Sequence, residues 1–488
     1  GEIVTERDIE ESLPDKEKNL SEWYSMVLEK AEIVDIRYGV KGFIVYMPYG
    51  MEIMKNIIRL FESELEKTGH RPVLFPVVIP ESNLRKEEEH VKGFAGQVFW
   101  ITHAGYSKLE EKLALRPTSE TAMYPIYSLW IKSYKDLPLK AYQTVAVYRY
   151  ETKATRPLLR GREFLWIEAH NVFRSREEAY KQTLEDADIF KRVSYEKLGI
   201  PFIHVKREEF DKFPGAEDTF AFDTLMPDGR VLQIGTTHYL GTKFSKVFDI
   251  KFHDVDGKYR YGHQTCYGIG LSRILASLIM IHGDSYGMVL PFDIAPLQII
   301  IIPIPKTGYD LNKIFEYCDD IQRELIDKGY KVKVDKSEKT PGEKYYYYDM
   351  RGIPIRIEVG PFEVDNRRVT LFRRDLRMRV TIPREDLFNK IERLRVDITE
   401  NLRRKAEDKI KNTIKYVSNL DELKKYSEEG FSIFKVHFCG NEECAERIKN
   451  ETGGFEVRGS DVSEDGFNGE CIMCGKETSK IVYLAKAY

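Results

Sequence analysis

Residues 147–170 decide how this chain is read: Val147-Tyr-Arg149-Tyr-Glu151, a basic loop from Thr152 to Arg162, then Glu163-Phe164-Leu-Trp166-Ile-Glu168-Ala-His170. The flanking runs, Ala141 to Tyr150 and Glu163 to Phe173, read as two strands of a hairpin with a long, arginine-rich tip. Side chains alternate across a strand, so Arg149 and Glu151 share one face. Phe164, Trp166, Glu168 and His170 share a face of the returning strand. A guanidinium, two carboxylates, two aromatic rings and an imidazole then lie together. A core cannot absorb that set, because buried charges need partners or a ligand. A solvated face would not carry Phe164 and Trp166. The alternation therefore predicts a ligand-binding sheet face.

The surrounding chain sets bounds on that reading. At 488 residues, and with domains of roughly 100–200 residues each, three or four domains are expected. Hydrophobic residues make up 42% and charged residues 32%, a globular composition. The longest apolar stretch, Ile294 to Pro305, is interrupted by Pro and Gln, and a membrane helix needs about 20 apolar residues. No membrane partner is expected. The acidic N-terminal residues show no signal peptide. Basic and acidic residues number 76 and 79, for a net charge of -3. That excludes a protein that coats polyanions generally, so any nucleic-acid surface is local. The six cysteines are too few for a disulfide scaffold and suit a reduced, cytoplasmic protein.

Helical spacing of apolar residues appears at Asn19 to Ile33 and Met51 to Thr68, the second ending at Gly69. Val73 to Ile79 reads as a buried strand interrupted by Pro76, which belongs at an edge or interface. Further strand-like runs are Arg230 to Tyr239 and Lys246 to Phe252, and Cys266 to Ile281 reads as a strand end leading into a wholly apolar, buried helix. After Pro291, strands and helices alternate as in an α/β unit, and a charged helix near 385–412 leads to a last small unit. The expected boundaries are 1–290, 294–395 and 400–488. The expected fold class is mixed α+β and α/β, multidomain.

Two more segments carry chemistry. Tyr267-Gly268-Ile-Gly270-Leu-Ser-Arg273 combines closely spaced glycines with a cation at a helix start. Such glycines often mark tight strand–helix packing, but Arg273 in an apolar stretch requires an anion. Leu115-Arg-Pro-Thr118-Ser-Glu120 reads by itself as a helix start capped by Thr or Ser.

Together these segments resemble the class II aminoacyl-tRNA synthetases. Arg149-x-Glu151 with Phe164-x-x-x-Glu168 resembles their motif 2, Gly268-x-Gly270-x-x-Arg273 their motif 3, and the helix ending at Gly69 with the strand around Pro76 their motif 1. Longer strings, including Phe75-Pro-Val-Val-Ile-Pro-Glu-Ser, Ala114-Leu-Arg-Pro-Thr-Ser-Glu-Thr and His282-Gly-Asp, are similar to the archaeal and eukaryotic prolyl-tRNA synthetases. The resemblance runs from about Leu20 to the C-terminus. It implies an antiparallel-sheet catalytic domain, an α/β anticodon-binding domain and a small C-terminal α/β zinc-binding domain. It also implies activation of L-proline by ATP to prolyl-adenylate and transfer to the 3′ end of tRNA(Pro).

By the same resemblance, Arg149 and Arg273 are the catalytic cations. ATP would be held by Arg149, Glu151, Arg160, Phe164, Gln233, Thr236 and Arg273, with Mg2+ on its phosphates. Proline would be held by Thr118, Glu120, Arg149, Trp166, Glu168, His170, His238 and Cys266. The attacking carboxylate is already ionised, so no general base is required. The span from Glu151 to Gly268 is needed for the sheet, so no cis-editing insertion is expected. No Cys/His triplet is expected to place zinc inside the pocket, as a threonyl relative would require.

Residues 351–380 hold eight arginines against four acidic residues. Such a local excess is the footprint of phosphate contact or a solvated, ion-paired face. The resemblance places tRNA anticodon contacts here, at Glu358, Arg373 and Asp375. Cys439, Cys444, Cys471 and Cys474 form two closely spaced thiol pairs suited to a closed, structural Zn2+ site. Motif 1 implies a homodimer.

Overall fold

The computed structural model describes residues 12–488. The first eleven residues, on which the signal-peptide expectation falls, lie outside the described part. No helix among the described residues is long and apolar enough to cross a membrane.

Helix α1 (Pro48–Lys67) starts with Pro at its first turn, and its chain leaves through Gly69 at φ +86°, the left-handed turn that glycine makes without strain. Ile53, Met54, Ile57, Phe61 and Leu65 are buried along one face. The short helix α2 (Glu88–Phe94) and helix α3 (Glu120–Trp130) follow. Strands β1 (Arg71–Pro72), β2 (Leu139–Tyr148) and β3 (Glu163–Phe173) form one side of the central sheet. After helix α4 (Arg176–Phe190) come β4 (Ile203–Lys206), β5 (Asp218–Leu225), β6 (Val231–Gly241) and β7 (His263–Ile269). Helix α5 (Leu271–His282) follows and is buried on nearly every side, as a helix apolar all round must be.

Two local readings change. Val73 to Ile79 is not one strand: β1 ends at Pro72, and pairing resumes only at Val78–Pro80. Pro76 has no N–H for a ladder, and Leu74 points to solvent. Lys246 to Phe252 is not strand throughout, because Lys243–Phe248 is a helical turn and only Lys251–His253 is strand. Asp249 at φ +60° makes the reversal between them.

Strands β8 (Ile299–Pro303), β9 (Val332–Val334), β10 (Ile355–Val359), β11 (Arg368–Arg373) and β12 (Met378–Pro383) form a second, five-stranded sheet in the order β9-β8-β10-β11-β12. β8 pairs in parallel with β9 and β10, which explains its unbroken Ile run. Helix α6 (Leu387–Thr413) runs through positions 395 and 400 without a break.

The C-terminal strands β13 (Ile414–Tyr416), β14 (Ile433–His437), β15 (Glu456–Asp461) and β16 (Ile481–Ala485) do not form a separate sheet. They extend the central one, giving eleven strands in the order β13-β14-β16-β15-β4-β5-β6-β7-β3-β2-β1. The junction is antiparallel pairing of Ser460 with Lys206 and Asp461 with Val205.

One buried group in this framework titrates unusually. Asp186 on α4 accepts from Gln182 Nε2 and from Thr237 Oγ1 on β6, both at 2.8 Å. Burial raises its carboxyl to about 7, against those two hydrogen bonds. A raised folded-state value means that the fold favours the protonated acid. Its contribution is full below the unfolded value near 4 and is lost as pH rises through 7. Asp186→Asn should therefore gain stability over the parent progressively between about pH 4 and 7, reaching about 4 kcal/mol above that range. Urea denaturation at pH 4 and pH 8 measures this; equal differences at both would contradict it.

Candidate functional site

The ladder registers bring the predicted pocket residues into two rows. Across β6, β7 and β3, His238 lies opposite Cys266, and Cys266 opposite His170. One step along, Thr236 lies opposite Gly268, Gly268 opposite Glu168, and Glu168 opposite Gln143 on β2. Both rows floor a cleft of about 410 Å³. A side chain at position 268 would begin 3.7 Å from the Trp166 ring. That is ordinary van der Waals contact, so the Trp166 ring packs along the cleft wall over position 268 without demanding glycine there.

Every residue expected to bind proline or ATP lines this one cleft: Thr118, Glu120, Arg149, Glu151, Arg160, Phe164, Trp166, Glu168, His170, Gln233, Thr236, His238, Cys266 and Arg273. Arg149 and Glu151 reach it from just beyond the end of β2, not from within the strand.

Glu168 is the best-satisfied group in the cleft. One oxygen meets His170 Nε2 at 2.7 Å. The other accepts from Ser119 Oγ at 2.7 Å and from Gln143 Nε2 and Trp166 Nε1, both at 3.1 Å. Burial opposes its charge, yet the bonds from His170, Ser119 and Gln143 hold it below the usual carboxylate range. Burial likewise works against the His170 cation, but Glu168 raises that ring above its ordinary value. Ser119 thus serves the cleft and makes no side-chain cap on α3, contrary to the capping expected from the sequence. The same hydroxyl accepts from Gln143 Nε2 at 3.1 Å, so both of its bonds go to the groups around the buried Glu168 carboxylate.

Glu120 differs. It is 1% exposed, and its Oε2 has no hydrogen-bond partner. The nearest cation candidate is His90 Nε2 on α2 at 4.0 Å, itself unpartnered. Burial lowers the His90 value, so the ring is neutral at pH 7 and the contact is not an ion pair. His238 is neutral too: burial, then the His170 and Arg149 charges, lower it to about 3. Its Nδ1 lies 2.9 Å from Thr219 Oγ1.

Ligand atoms of Glu120, His170 and Cys266, all three among the residues expected to hold proline, fall within 4.8 Å of one another. Both ring nitrogens of His170 are already engaged, by Glu168 and by Tyr124 Oη at 3.0 Å. Burial and the neighbouring carboxylates push the Cys266 thiol far up, so the set reads as a pocket wall.

The cations show the reverse imbalance. Arg149 donates from Nε to Pro117 O at 2.9 Å, and its guanidinium lies 5.2–5.4 Å from the ring centres of Phe94, Phe164 and Trp166. Arg273 donates to Leu159 O and Gln233 O, at 2.9 and 3.0 Å. Neither these two nor Arg160 has an ion-pair partner among the described residues. Burial lowers Arg149 to about 10. Burial, together with the charges of Arg160, Arg458 and Arg149, lowers Arg273 to about 10 as well. The cleft therefore holds like charges whose mutual repulsion a polyanion would relieve.

Arg207, Asp211, Lys212, Phe213 and Arg458 also line the cleft and were not legible in the sequence. They lie in a polar loop and on a distant strand without motif spacing. Tyr488 lies in a neighbouring cavity, its Oη donating to Asp228 Oδ2 at 2.9 Å.

In the second sheet, the arginine excess is largely paired internally. Glu358 accepts from Tyr345 Oη and Arg379 Nε, both at 2.8 Å. Arg373 grips Asp375 through two bonds of 2.8 and 2.7 Å, and Asn401 adds a third to the buried Asp375 carboxylate. Arg374 binds Asp284 at 2.6 and 2.7 Å, tying this domain to the chain after α5. Arg367 and Arg368 are exposed and lack ion-pair partners among the described residues.

The thiol sulfurs of Cys439, Cys444, Cys471 and Cys474 lie within 4.8 Å of one another. Four Zn–S bonds of about 2.3 Å in a tetrahedron put sulfurs about 3.8 Å apart, a separation inside that limit. Asn441 N–H donates to Cys439 Sγ at 3.4 Å, a bond that would orient a thiolate ligand.

Comparison with known proteins agrees with this geometry. The family model of the tRNA synthetase class II core domain (G, H, P, S and T) matches residues 99–282, that of the anticodon binding domain 298–394, and that of the prolyl-tRNA synthetase C-terminal region 420–488. A proline–tRNA ligase of Thermofilum pendens is 51% identical over 97% of this chain and 98% of its own. Another from Pyrococcus horikoshii is 44% identical over 96% and 98%. The structure of Giardia lamblia prolyl-tRNA synthetase in complex with prolyl-adenylate superposes with a TM-score of 0.92 at 36% identity, covering 98% of this chain and 100% of that one. The Cryptosporidium parvum enzyme, complexed with halofuginone and AMPPNP, gives 0.92 at 32% identity, over 98% and 100%. At this identity and coverage, and with every expected ligand residue lining one cleft, this chain belongs to the prolyl-tRNA synthetase family of class II and is an ATP-dependent proline–tRNA ligase.

Proposed function

We propose the following division of labour in the cleft. Glu120 receives the secondary ammonium of proline beside Thr118, and Trp166, Glu168, His170, His238 and Cys266 wall the ring. Arg149 bridges the proline carboxylate and the α-phosphate, offsetting the repulsion between two anions that must meet in line. The carboxylate attacks the α-phosphorus and pyrophosphate leaves, with no proton transfer. Arg273 covers the adenine opposite Phe164, Glu151 reads its amino group, and Arg160 holds the phosphate tail with Gln233 and Thr236 alongside. Mg2+ accompanies the phosphates and neutralises part of their charge. In the second step the terminal adenosine hydroxyl of tRNA(Pro) attacks the prolyl carbonyl and releases AMP. The single observation behind this reading is that Arg149, Arg160 and Arg273 line one cleft without anionic partners among the described residues. A crystal soaked with a non-hydrolysable ATP analogue should place the Arg149 and Arg273 guanidinium groups on the same nucleotide. Finding them apart, or either turned to solvent, would overturn it.

The units proposed at 1–290, 294–395 and 400–488 are the catalytic, anticodon-binding and zinc-binding parts, and the setting is cytoplasmic. For the anticodon, Glu358, Arg373 and Asp375 are the sequence candidates. Their internal pairing makes the free cations Arg367 and Arg368 the better phosphate contacts. Zinc at the four thiols cross-links the segments before Cys444 and around Cys471 and supplies no reaction chemistry. Homodimerisation through motif 1 is supported by exposed apolar groups near the β1 edge: Leu74, Val77, Leu129 and Trp130. Native mass spectrometry tests both at once. The expected species has twice the chain mass with one zinc per chain, and a metal-free or monomeric species at micromolar concentration counts against the corresponding part.

A further inference from the structure

The division of labour above draws its cations from the catalytic segments alone, yet the C-terminal strand β15 also sends one into the cleft. Arg458 donates from Nε to Asp223 Oδ2 at 2.9 Å. Arg207, which follows β4, grips the same carboxylate through Nη1 at 2.9 Å and Nη2 at 2.8 Å. Asp223 is fully buried. Burial alone would push its carboxyl up, but Arg207 and Arg458 hold it far below the usual range. Arg458 Nη1 also meets Glu456 Oε2 at 3.5 Å, so the two guanidinium groups are held in one ion-pair network, and the Arg458 charge is felt at Arg273.

The network continues inward. Arg207 Nη1 donates to Arg458 O at 2.6 Å, and Nη2 to Gln233 Oε1 at 2.8 Å. A guanidinium can only donate, so this bond fixes the Gln233 amide with its oxygen turned to Arg207 and its NH2 group left for the cleft. The Gln233 carbonyl meanwhile accepts from Arg273 Nη1. A continuous chain thus runs Arg458–Asp223–Arg207–Gln233–Arg273, from the C-terminal domain to the motif 3 cation. The backbone is shaped for it. Gly459, next to Arg458, has φ +117°, and a Cβ there would lie 2.2 Å from Lys206 O. Only glycine lets β15 approach β4 closely enough for the neighbouring side chain to reach Asp223.

We propose that Arg458 is a positioning residue of the nucleotide site. By completing the pair of guanidinium groups on Asp223, it holds Arg207 and so keeps the Gln233 amide N–H aimed at ATP. The C-terminal domain is on this account part of the catalytic unit, although its metal centre takes no part in the chemistry. The inference rests on Gln233 and Arg273 contacting ATP.

The test uses the full chain with its metal, in proline-dependent ATP–pyrophosphate exchange. Arg458→Ala should raise KM for ATP at least about tenfold, the loss expected when a charge-assisted hydrogen-bond network is cut, while KM for proline stays within about twofold. Millimolar guanidinium ion should partly restore KM for ATP in Arg458→Ala but not in the parent. Arg458→Lys should restore it less than Arg does, because an ammonium cannot reproduce the Nε geometry. Gln233→Ala should raise KM for ATP similarly, and the double variant should add little to either. If Arg458→Ala leaves KM for ATP unchanged while Gln233→Ala raises it, the proposal fails and the ATP reading of Gln233 stands. If Gln233→Ala leaves KM for ATP unchanged, that underlying reading fails instead. If Arg458→Ala shifts both KM values together with a lower melting temperature and no guanidinium rescue, Arg458 is only a brace, and the proposal is overturned.

Discussion

Replacing Arg149 by Gln should lower proline-dependent ATP–pyrophosphate exchange on the order of a thousandfold, with folding and tRNA binding largely intact. A single donor aimed at developing charge is worth about a hundred- to a thousandfold. Arg149 is placed to serve two anions at once, which puts it at the upper end. The fold does not depend on it. Its side chain donates to Pro117 O, it has no ion-pair partner among the described residues, and burial depresses its guanidinium to about 10. A neutral side chain removes a desolvated charge and costs little stability. Arg149→Lys should recover only part of the loss, because an ammonium cannot fork between a carboxylate and a phosphate. Near-parental exchange in Arg149→Gln would remove the clamp role. Exchange lost together with a lower melting temperature would make the residue structural.

The hairpin was legible because period-2 alternation and burial agree over many residues. Phe164, Trp166, Glu168 and His170 do face one cleft. Helix α5 was legible because a helix apolar all round can only be buried. What failed to show was set by partners distant in sequence. Ser119 looks like an N-cap until Glu168, on a strand far along the chain, claims its hydroxyl. The run from Lys246 to Phe252 has strand-like residues, but tertiary packing overrides propensity there. The arginines of 351–380 read as either a phosphate patch or an ion-paired face. Asp284, Asp349 and Glu358 neutralise most of those that point inward, and composition counts charges without saying which are paired. Nor could any local pattern announce that β15 would pair with β4. The contribution of Arg458 to the cleft follows from that single register.

Glu120→Gln should lower kcat/KM for proline on the order of a hundredfold or more, leave KM for ATP nearly unchanged, and raise the melting temperature. The two carboxylates of the proline pocket are not interchangeable. Glu168 already accepts from His170, Ser119, Gln143 and Trp166, so it has nothing left for an ammonium. Glu120 Oε2 is buried and unpartnered, and neutral His90 at 4.0 Å cannot neutralise it. A buried carboxylate oxygen without a hydrogen bond costs the free protein stability, and a donor on the incoming ammonium relieves that cost. Gln keeps the shape and removes the charge, and one of its two polar atoms would present N–H groups to an ammonium that also only donates. Losing one partner of a buried charge pair costs about 3–5 kcal/mol, which corresponds to a factor of a hundred or more. The same substitution places an amide N–H facing the unpartnered His90 Nε2, where two acceptors now meet, so stability should move opposite to activity. A purely structural Glu120 predicts that the two fall together, and a pocket whose ammonium partner lies elsewhere predicts that kcat/KM for proline hardly moves. Only a carboxylate held open for its substrate gives a more stable, less active enzyme whose defect is confined to the amino acid.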